Sequence, residues 1–357
     1  MSGKVTNVYF NRWFSTAYHY MNMIRDNPDG EQFRFYGTHP DINHMSLQAC
    51  DHAETEPALR GTAYVDFALD FCRRHRIDLF VPRLNMLDIS REIDRFEEIG
   101  TRVIACRDAD LLEAIVEKDK FYESMAGEDI VTIPDYELAE TPEQFRSAYT
   151  KLVSRGHRVC FKPTEAEGGM GFRIIDDQLD SFATLYGHVT LAMTFEQAYA
   201  ALAGAETFPK LMVMEMLEGD EYSIDCLADA EGKLLAAVPR RKLAGRVYEM
   251  DAVPELMEIA ERIAVKCRIP YVYNVQVKYG QGVPKLLEIN PRMSGGLYLT
   301  CLTGVNMPYL AVQAGLGRPF EVPKPRYGIR ASYVEQAILL ADSEAKSGTT
   351  DSEIDVG

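Results

Sequence analysis

Short apolar strand patterns alternate with amphipathic helix patterns over the first third of the chain. Strands are predicted at 5–10, 32–36, 77–81 and 102–105, and helices at 12–25, 62–74 and 89–99. Asn11 is a candidate N-cap for the first of these helices. Strands that alternate with helices predict a parallel sheet with helices packed on its faces.

The segment after the first predicted strand does not favour a dinucleotide-binding site. Such a site requires a glycine-rich turn there, because the backbone must approach a pyrophosphate closely. The sequence has Asn11, Arg12 and Trp13 instead. NAD binding is therefore not predicted.

Composition narrows the class of protein. The 357 residues suffice for two or three domains, and the net charge of −16 argues against a general nucleic-acid or anionic membrane surface. There is no apolar run of transmembrane length and no signal-peptide core. The seven cysteines show no CxxC spacing, so we expect reduced thiols and a cytoplasmic location. Cys50 and His52, with His39 and His44 nearby, fit no common zinc spacing.

Oxygen-bearing side chains cluster in the stretch LLEINPRMSGG at 286–296. Glu288 and Asn290 are two residues apart and so share one face of a strand. Gln276 can join them if the preceding strand, at 272–279, pairs with this one through the turn sequence QGVP. Carboxylate and amide oxygens suit Mg²⁺, and the guanidinium of Arg292 suits a phosphate. The alternative is two amphipathic strands with a solvated polar face.

A glycine-rich segment, PTEAEGGMGF, separates predicted strands at 159–162 and 172–175. Gly168, Gly169 and Gly171 allow positive φ and a close approach of the backbone to phosphate, with Lys162 just before them. It is not a Walker P-loop, since GxxxxGK[ST] is absent. A plain hairpin turn is the alternative.

Three further charged patterns remain open. Glu215 lies in the apolar run KLMVMEM and needs a partner, of which an exocyclic amine such as that of adenine is one candidate. The cluster PRRKLAGRV at 239–247 is an anion site or a solvated hairpin. Lys118, Asp119 and Lys120 by themselves indicate only a solvated helix face.

Taken in chain order, Lys120, Lys162, the glycine-rich segment, the stretch 215–221, Gln276 and the stretch 288–292 resemble the ATP-grasp superfamily. The nearest similarity is to the ATP-binding halves of carbamoyl phosphate synthetase, with some similarity to D-alanine–D-alanine ligase in EGDEYSID. The resemblance covers roughly residues 1 to 330.

The resemblance implies an α/β fold with an α+β grasp. A Rossmann-like pre-ATP-grasp domain would occupy residues 1–115 and would precede a two-subdomain ATP-grasp fold. A small subdomain with the flap would occupy 116–208, and a large subdomain with the Mg-ATP site would occupy 209–340. The acidic residues 343–357 are expected to form a disordered tail.

The resemblance also implies roles for the matching residues. The predicted nucleotide-binding residues are Lys120, Lys162, Gly168, Gly169, Gly171, Glu215, Met216, Leu217 and Glu221. The predicted ligands of one or two Mg²⁺ ions, or of Mn²⁺, are Gln276, Glu288 and Asn290. Gln276 stands where many relatives have Glu, so a second ion would be held with less charge. Arg292, Arg241 and Lys162 are the predicted catalytic residues, and Arg240, Lys242 and Arg246 would help Arg241 to hold an acidic substrate.

The implied activity is that of an ADP-forming carboxylate–amine ligase acting through an acyl phosphate. Its partners would be a small-molecule carboxylate and an amine, with no nucleic acid or membrane, and the chain would form a homodimer. One alternative is bicarbonate or carbamate activation, as in carbamoyl phosphate synthetase. Another is an ATP-binding regulatory protein without catalysis.

Overall fold

The computed structural model describes residues 4–125, 130–165 and 169–339. Gly168 and the predicted tail at 343–357 lie outside these ranges. The chain divides into two compact units, each built from separate stretches: Met1–Ala109, Ser223–Asn274 and Asn290–Gly357 form the first, and Asp110–Tyr222 and Val275–Ile289 form the second. The domain boundaries expected from the sequence run sequentially along the chain and stay predictions.

A five-stranded sheet forms the N-terminal part of the first unit. Its strands are β1 (Thr6–Asn11), β2 (Phe33–His39), β3 (His52–Thr55), β4 (Leu79–Val81) and β5 (Arg102–Val103), and the helices between them are α1 (Ala17–Arg25), α2 (Gly61–His75), α3 (Met86–Arg91) and α4 (Ile93–Glu98). All neighbouring strands pair in parallel, in the order β3-β2-β1-β4-β5. The predicted parallel sheet is confirmed. The short strand β3 was not predicted, because its four residues carry little apolar pattern.

The first helix begins later than predicted, and Asn11 is not its N-cap. Asn11 is fully buried, and its side chain holds the segment after β4. Its Oδ1 accepts from the backbone N–H of Arg83 at 2.7 Å, and its Nδ2 donates to the carbonyl of Leu84 at 3.1 Å. The polar side chain therefore joins two strand ends instead of capping a helix, and α1 starts at Ala17.

Most of the second unit is a mixed layer of sheet and helix. From Asp110 onward it contains most of α5 (Ala109–Val116), followed by α6 (Lys118–Met125), β6 (Tyr136–Ala139), α7 (Pro142–Ser154), β7 (Val159–Pro163), β8 (Arg173–Ile175), α8 (Ser181–Tyr186), β9 (Ala192–Met193), α9 (Phe195–Ala203) and β10 (Leu211–Glu215). The sheet order is β6-β10-β7-β8-β9. Thr141 caps α7 with Gln144 in a capping box.

A third sheet has six strands. They are β11 (Glu221–Ala228), β12 (Leu234–Lys242), β13 (Tyr248–Met250), β14 (Val272–Gly280), β15 (Val283–Asn290) and β16 (Ile329–Ala331), in the order β15-β14-β11-β12-β13-β16. The remaining α-helices of the described residues are α10 (Pro254–Cys267), α11 (Leu297–Thr300) and α12 (Met307–Gly315). Within the described ranges, no helix combines the length and apolar character needed to cross a bilayer.

The hairpin predicted for β14 and β15 is present, since the two strands are neighbours in this sheet. Gln281 and Gly282 connect them with φ of 52° and 80°. Positive φ at both central residues is the property of a type I′ turn, whose twist matches that of the strands. The hairpin therefore fixes the register of the strands that carry Gln276 and Glu288.

Candidate active site

A cavity of about 450 Å³ lies in the second unit. Its wall is built from α6, β7, β10, β14 and β15 and from the segments 169–172 and 216–221. The predicted site residues in the wall are Lys162, Gly169, Glu215, Met216, Leu217, Glu221, Gln276 and Glu288. The volume is in the range of small-molecule sites, so this cavity is the candidate binding site of the unit.

Two lysine side chains give one part of the wall a positive charge. Lys162 is on β7 and Lys118 is the first residue of α6. Burial lowers the pKa of Lys162 below its ordinary value, and the positive charge of Lys118 lowers it further, whereas the carboxylate of Glu288 acts in the opposite direction. Because the two ammonium groups repel each other, a polyanion relieves the repulsion and is favoured as a ligand.

Amide and carboxylate oxygens occupy the same wall. Gln276 on β14 and Glu288 on β15 are both half-buried. The hydroxyl of Tyr122 lies 2.9 Å from the carbonyl oxygen of Leu286 and 3.0 Å from that of Leu287, which holds the strand just before Glu288. Such oxygen donors beside two lysines fit a hard cation that accompanies a phosphate.

The loop between β7 and β8 depends on its glycines. Gly169 and Gly171 have φ of 79° and 73°. A Cβ at Gly171 would lie 2.7 Å from Cδ of Pro163, so no larger residue fits without a shift of the loop. Gly169 and the neighbouring Met170 line the cavity, which favours the flap over a plain turn.

Comparisons with known proteins agree on one superfamily. The family model described as "ATP-grasp in the biosynthetic pathway with Ter operon" matches residues 207–337. The arginine-specific large chain of carbamoyl phosphate synthase from Geobacillus stearothermophilus is 23% identical over 236 residues, which are 62% of this chain and 20% of that protein. Carnosine synthase 1 of Homo sapiens is 29% identical over 179 residues, which are 44% of this chain and 21% of that protein. The chain thus spans about a fifth of the length of these relatives.

A solved structure matches nearly the whole chain. The biotin carboxylase domain of 2-oxoglutarate carboxylase from Hydrogenobacter thermophilus, a dimer in complex with MgADP, ADP and bicarbonate, has a TM-score of 0.62 at 14% identity. The match covers 91% of this chain and 73% of that chain. Residues 207–337 match the ATP-grasp superfamily, and the chain has the ATP-grasp fold. The enzymes of this superfamily are typically ADP-forming ligases, and the expected fold, a Rossmann-like sheet followed by two further sheets, is confirmed.

One lysine of the ATP-grasp pattern is corrected by the structure. Lys120 does not line the cavity: its side chain is 56% exposed and its Nζ lies 2.8 Å from Oε1 of Glu117. Lys118 lines the cavity in its place, and sequence reasoning missed it. Residues two apart on a helix point in nearly opposite directions, so Lys118 and Lys120 do not face one site. Three consecutive charged residues do not indicate which of their side chains lies on the cavity side of the helix.

Glu215 lies in the wall of the same cavity, but its carboxylate is already bound by the protein. Oε1 accepts from the backbone N–H of Asp135 at 2.8 Å and from the ammonium of Lys285. Nδ1 of His157 is 3.7 Å from Oε2. The partner expected for this buried carboxylate is therefore supplied within the unit, and an adenine amine is not needed to satisfy it.

Two backbone groups next to Glu215 could pair with a ligand, the carbonyl of Met216 and the N–H of Leu217. The N–H of Met216 donates to the carbonyl of Arg158 at 2.7 Å. Among the described residues, none is hydrogen-bonded to the carbonyl of Met216 or to the N–H of Leu217. One acceptor and one donor are thus available at the edge of the cavity.

Asn290 and Arg292 belong to the first unit. The Nη2 of Arg292 donates to Oδ1 of Asn290 at 3.2 Å, and its Nη1 donates to the carbonyl of Met293 at 3.2 Å. Its guanidinium carbon lies 4.8 Å from the centre of the Phe14 ring, and that of Arg83 lies 4.2 Å from the same centre. These contacts fix the orientation of the Arg292 guanidinium. The Oδ1 atom of Asn290, which was predicted to bind a metal ion, accepts one of its hydrogen bonds.

Arg240 is not available to a substrate. Its guanidinium is buried, and its Nε lies 3.3 Å from Oδ2 of Asp225 and 3.0 Å from Oγ1 of Thr300. Its Nη2 lies 3.3 Å from Oγ of Ser294. The prediction that Arg240 holds an acidic substrate is wrong, because its charge is neutralised inside the first unit.

The other basic residues of this cluster are at or near the surface. Arg241 is half-buried and pairs with Glu249, which also accepts from Nε of Arg330 at 2.8 Å. Arg246 is exposed, and its Nη1 lies 2.6 Å from Glu335, while Lys242 is exposed. The catalytic role of Arg241 stays a prediction.

Proposed function

We propose that this protein is an ATP-dependent carboxylate–amine ligase that forms a C–N bond through an acyl phosphate and releases ADP. The observation that carries the proposal is the presence of Lys118, Lys162, Gln276 and Glu288 in the wall of one cavity. Lysines suit phosphate oxygens and the other two side chains suit Mg²⁺, so ATP with Mg²⁺ satisfies both.

The nucleotide base would bind at the apolar end of this cavity. Adenine presents an amine donor beside a ring-nitrogen acceptor, and the carbonyl of Met216 and the N–H of Leu217 offer the complementary pair. Met214 and Leu287 add apolar surface for the ring. Glu221 would accept from the ribose hydroxyls.

Gln276 and Glu288 would hold one Mg²⁺ ion. When bound, the ion neutralises charge on the β- and γ-phosphates. Since Gln276 is uncharged, we expect a second ion to bind more weakly than it would with a glutamate at this position.

The reaction proceeds in two steps. A carboxylate oxygen of the substrate attacks the γ-phosphorus of ATP, the bond from that phosphorus to the bridging oxygen breaks, and ADP leaves. The amine nitrogen then attacks the acyl carbon, phosphate leaves with the bonding electron pair, and the nitrogen loses a proton. Lys162 in its ammonium form stabilises the transferring group, and the loop with Gly169 and Gly171 excludes water that would hydrolyse the acyl phosphate.

An acidic substrate is favoured by the first unit. Arg292 is oriented by Asn290 and Met293, and both Arg292 and Arg83 stack on Phe14. An oriented guanidinium matches a carboxylate or a phosphoryl group in shape and charge. Arg292 would bind the acidic group of the substrate, and Arg241 remains a predicted second contact.

The direct test is the release of ADP and phosphate from Mg-ATP in the presence of amino acids and small carboxylates, each with and without an amine. The ligase is established if a carboxylate stimulates the release of ADP and if addition of an amine then yields an amide product. Tight binding of Mg-ATP without turnover on any pair contradicts it and favours the regulatory alternative.

Bicarbonate or carbamate activation is the second candidate. It is favoured by the similarity to carbamoyl phosphate synthase and by the bicarbonate in the biotin carboxylase structure. Stimulation of ADP release by bicarbonate alone, without any organic carboxylate, would select this function over the ligase.

A homodimer is also proposed, since the biotin carboxylase domain of similar fold is a dimer. Sedimentation velocity of the full chain tests it. A single species of about 40 kDa contradicts the dimer, because 40.3 kDa is the mass of one chain.

A further inference from the structure

Two histidines and a glutamate lie together at the edge of the N-terminal sheet. None of the three is among the residues assigned to ATP or substrate. His52 and Glu54 are two residues apart on β3 and so project from the same side of the strand. His75 is the last residue of α2. The Nε2 atoms of His52 and His75 lie 2.9 Å and 2.7 Å from the same oxygen, Oε1 of Glu54.

The three donors suit a transition-metal ion. Zn²⁺ binds imidazole nitrogen and carboxylate oxygen at about 2.0–2.2 Å, which in a tetrahedral site separates the donors by roughly 3.4 Å. One nitrogen or oxygen of each side chain lies within 4.8 Å of the others, so small side-chain rotations reach that spacing. The side chains of His52, Glu54 and His75 are 31%, 29% and 18% exposed, so an ion can enter and water can complete its coordination.

The surroundings orient the cluster and moderate its affinity. The aromatic ring of Tyr36 lies 5.7 Å from the ring of His52 and 5.2 Å from that of His75, which restricts both imidazoles. The C-terminal end of a helix carries partial negative charge and favours a cation beside His75. Arg74 acts against this, since its guanidinium nitrogens lie 3.2 Å from both oxygens of Glu54. We therefore expect an exchangeable ion.

The other candidate donors near His52 in sequence do not join the cluster. The rings of His39 and His44 stack on each other with centroids 3.8 Å apart. The thiol of Cys50 lies 3.6 Å from the sulfur of Met21 and 3.8 Å from the carbonyl of Ser46. Of the residues Cys50, His52, His39 and His44, only His52 belongs to the cluster. The third donor, His75, comes from the end of a helix 21 residues after Glu54.

We propose that His52, Glu54 and His75 bind one divalent transition-metal ion of the zinc class. The ion would join the edge strand β3 to the C-terminal end of α2 and stabilise this side of the first unit. The proposal does not depend on the ligase activity.

Isothermal titration of ZnCl₂ into the metal-free full-length protein tests the site. We expect one ion per chain, and a loss of affinity of about tenfold or more in H52A and in H75A. H188A is the matched control, because His188 is exposed on the second unit and should leave the affinity unchanged. Absence of saturable binding to the wild type, or equal affinity in H52A, H75A and the wild type, overturns the proposal.

Thermal unfolding gives a second readout that does not require catalysis. Zn²⁺ should raise the Tm of the wild type and of H188A, and it should not raise that of the double variant H52N/H75N. Circular dichroism of the metal-free double variant verifies that it is folded. A folded double variant whose Tm rises with Zn²⁺ as much as that of the wild type overturns the proposal.

Discussion

The guanidinium of Arg240 lies 3.3 Å from the carboxylate of Asp225, and the two side chains are only 6% and 0% exposed. Asp225 also accepts from Oγ of Ser294 at 2.7 Å, from Oγ1 of Thr300 at 2.5 Å and from Nδ2 of Asn274 at 2.9 Å. A buried charge needs such partners, because its desolvation is costly. This network joins β11, β12 and β14 to the segment that follows Arg292, and it neutralises the charge of Arg240 inside the first unit.

Replacing Asp225 with Ala should destabilise the protein by about 3–5 kcal/mol, since it leaves the Arg240 charge buried and unpaired. Urea unfolding of D225A and of the wild type measures the change. E335A removes the partner of the exposed Arg246 and should leave the midpoint nearly unchanged. Equal midpoints for D225A and the wild type would show that the buried pair does not stabilise the fold.

The choice between two lysines can be tested directly. K118A should weaken the binding of a non-hydrolysable ATP analogue by about 10- to 100-fold, the usual effect of removing a charged hydrogen-bonding partner. K120A is the matched control, two residues away on the same helix, and should bind like the wild type because Lys120 points away from the cavity. Calorimetry that finds the larger loss in K120A would reverse the assignment.

The affinity for ATP should begin to fall at a lower alkaline pH than it would if Lys162 had the ordinary pKa of a lysine. Burial lowers the pKa of Lys162, followed by the effect of the Lys118 charge, so the ammonium loses its proton at a lower pH than usual. The neutral amine does not attract phosphate, so affinity is full below the lowered pKa and declines as pH rises through it. Above the lowered pKa, the binding of ATP should therefore be accompanied by uptake of a proton by Lys162.

The variant K162R tests the origin of this decline. A guanidinium stays protonated up to about pH 12, so the loss of affinity should move to higher pH in K162R. Titrations of ATP analogue against both proteins from neutral to strongly alkaline pH give the comparison. Superimposable profiles would assign the decline to another group.

Glu288 and Gln276 should respond to substitution in opposite directions. E288A should lower Mg-dependent ADP release by about 100-fold or more, since it removes the anionic oxygens proposed to hold the ion that neutralises the phosphates. Q276E adds a carboxylate at the neighbouring position and should lower the Mg²⁺ concentration needed for half-maximal rate. Full activity in E288A would contradict the metal assignment.

Patterns that are local in sequence predicted most of the elements around the site. The alternation of Tyr273, Val275 and Val277 with polar residues predicted β14, and those three side chains are buried. The glycines Gly169 and Gly171 predicted the loop after β7. These signals are reliable because the periods of strand and helix and the preference of glycine for positive φ act within a few residues.

The parallel sheet, the hairpin of β14 and β15 and most of the polar residues in the cavity wall follow from local sequence patterns. The packing of separate elements sets three further features: Lys118 and not Lys120 faces the cavity, Lys285 and not a ligand satisfies Glu215, and Asp225 neutralises Arg240. Each of these depends on residues that are distant in sequence, or on the rotation of a helix about its axis. Burial and pairing of charges are set when separate elements pack together, so a local pattern of residue types does not specify them.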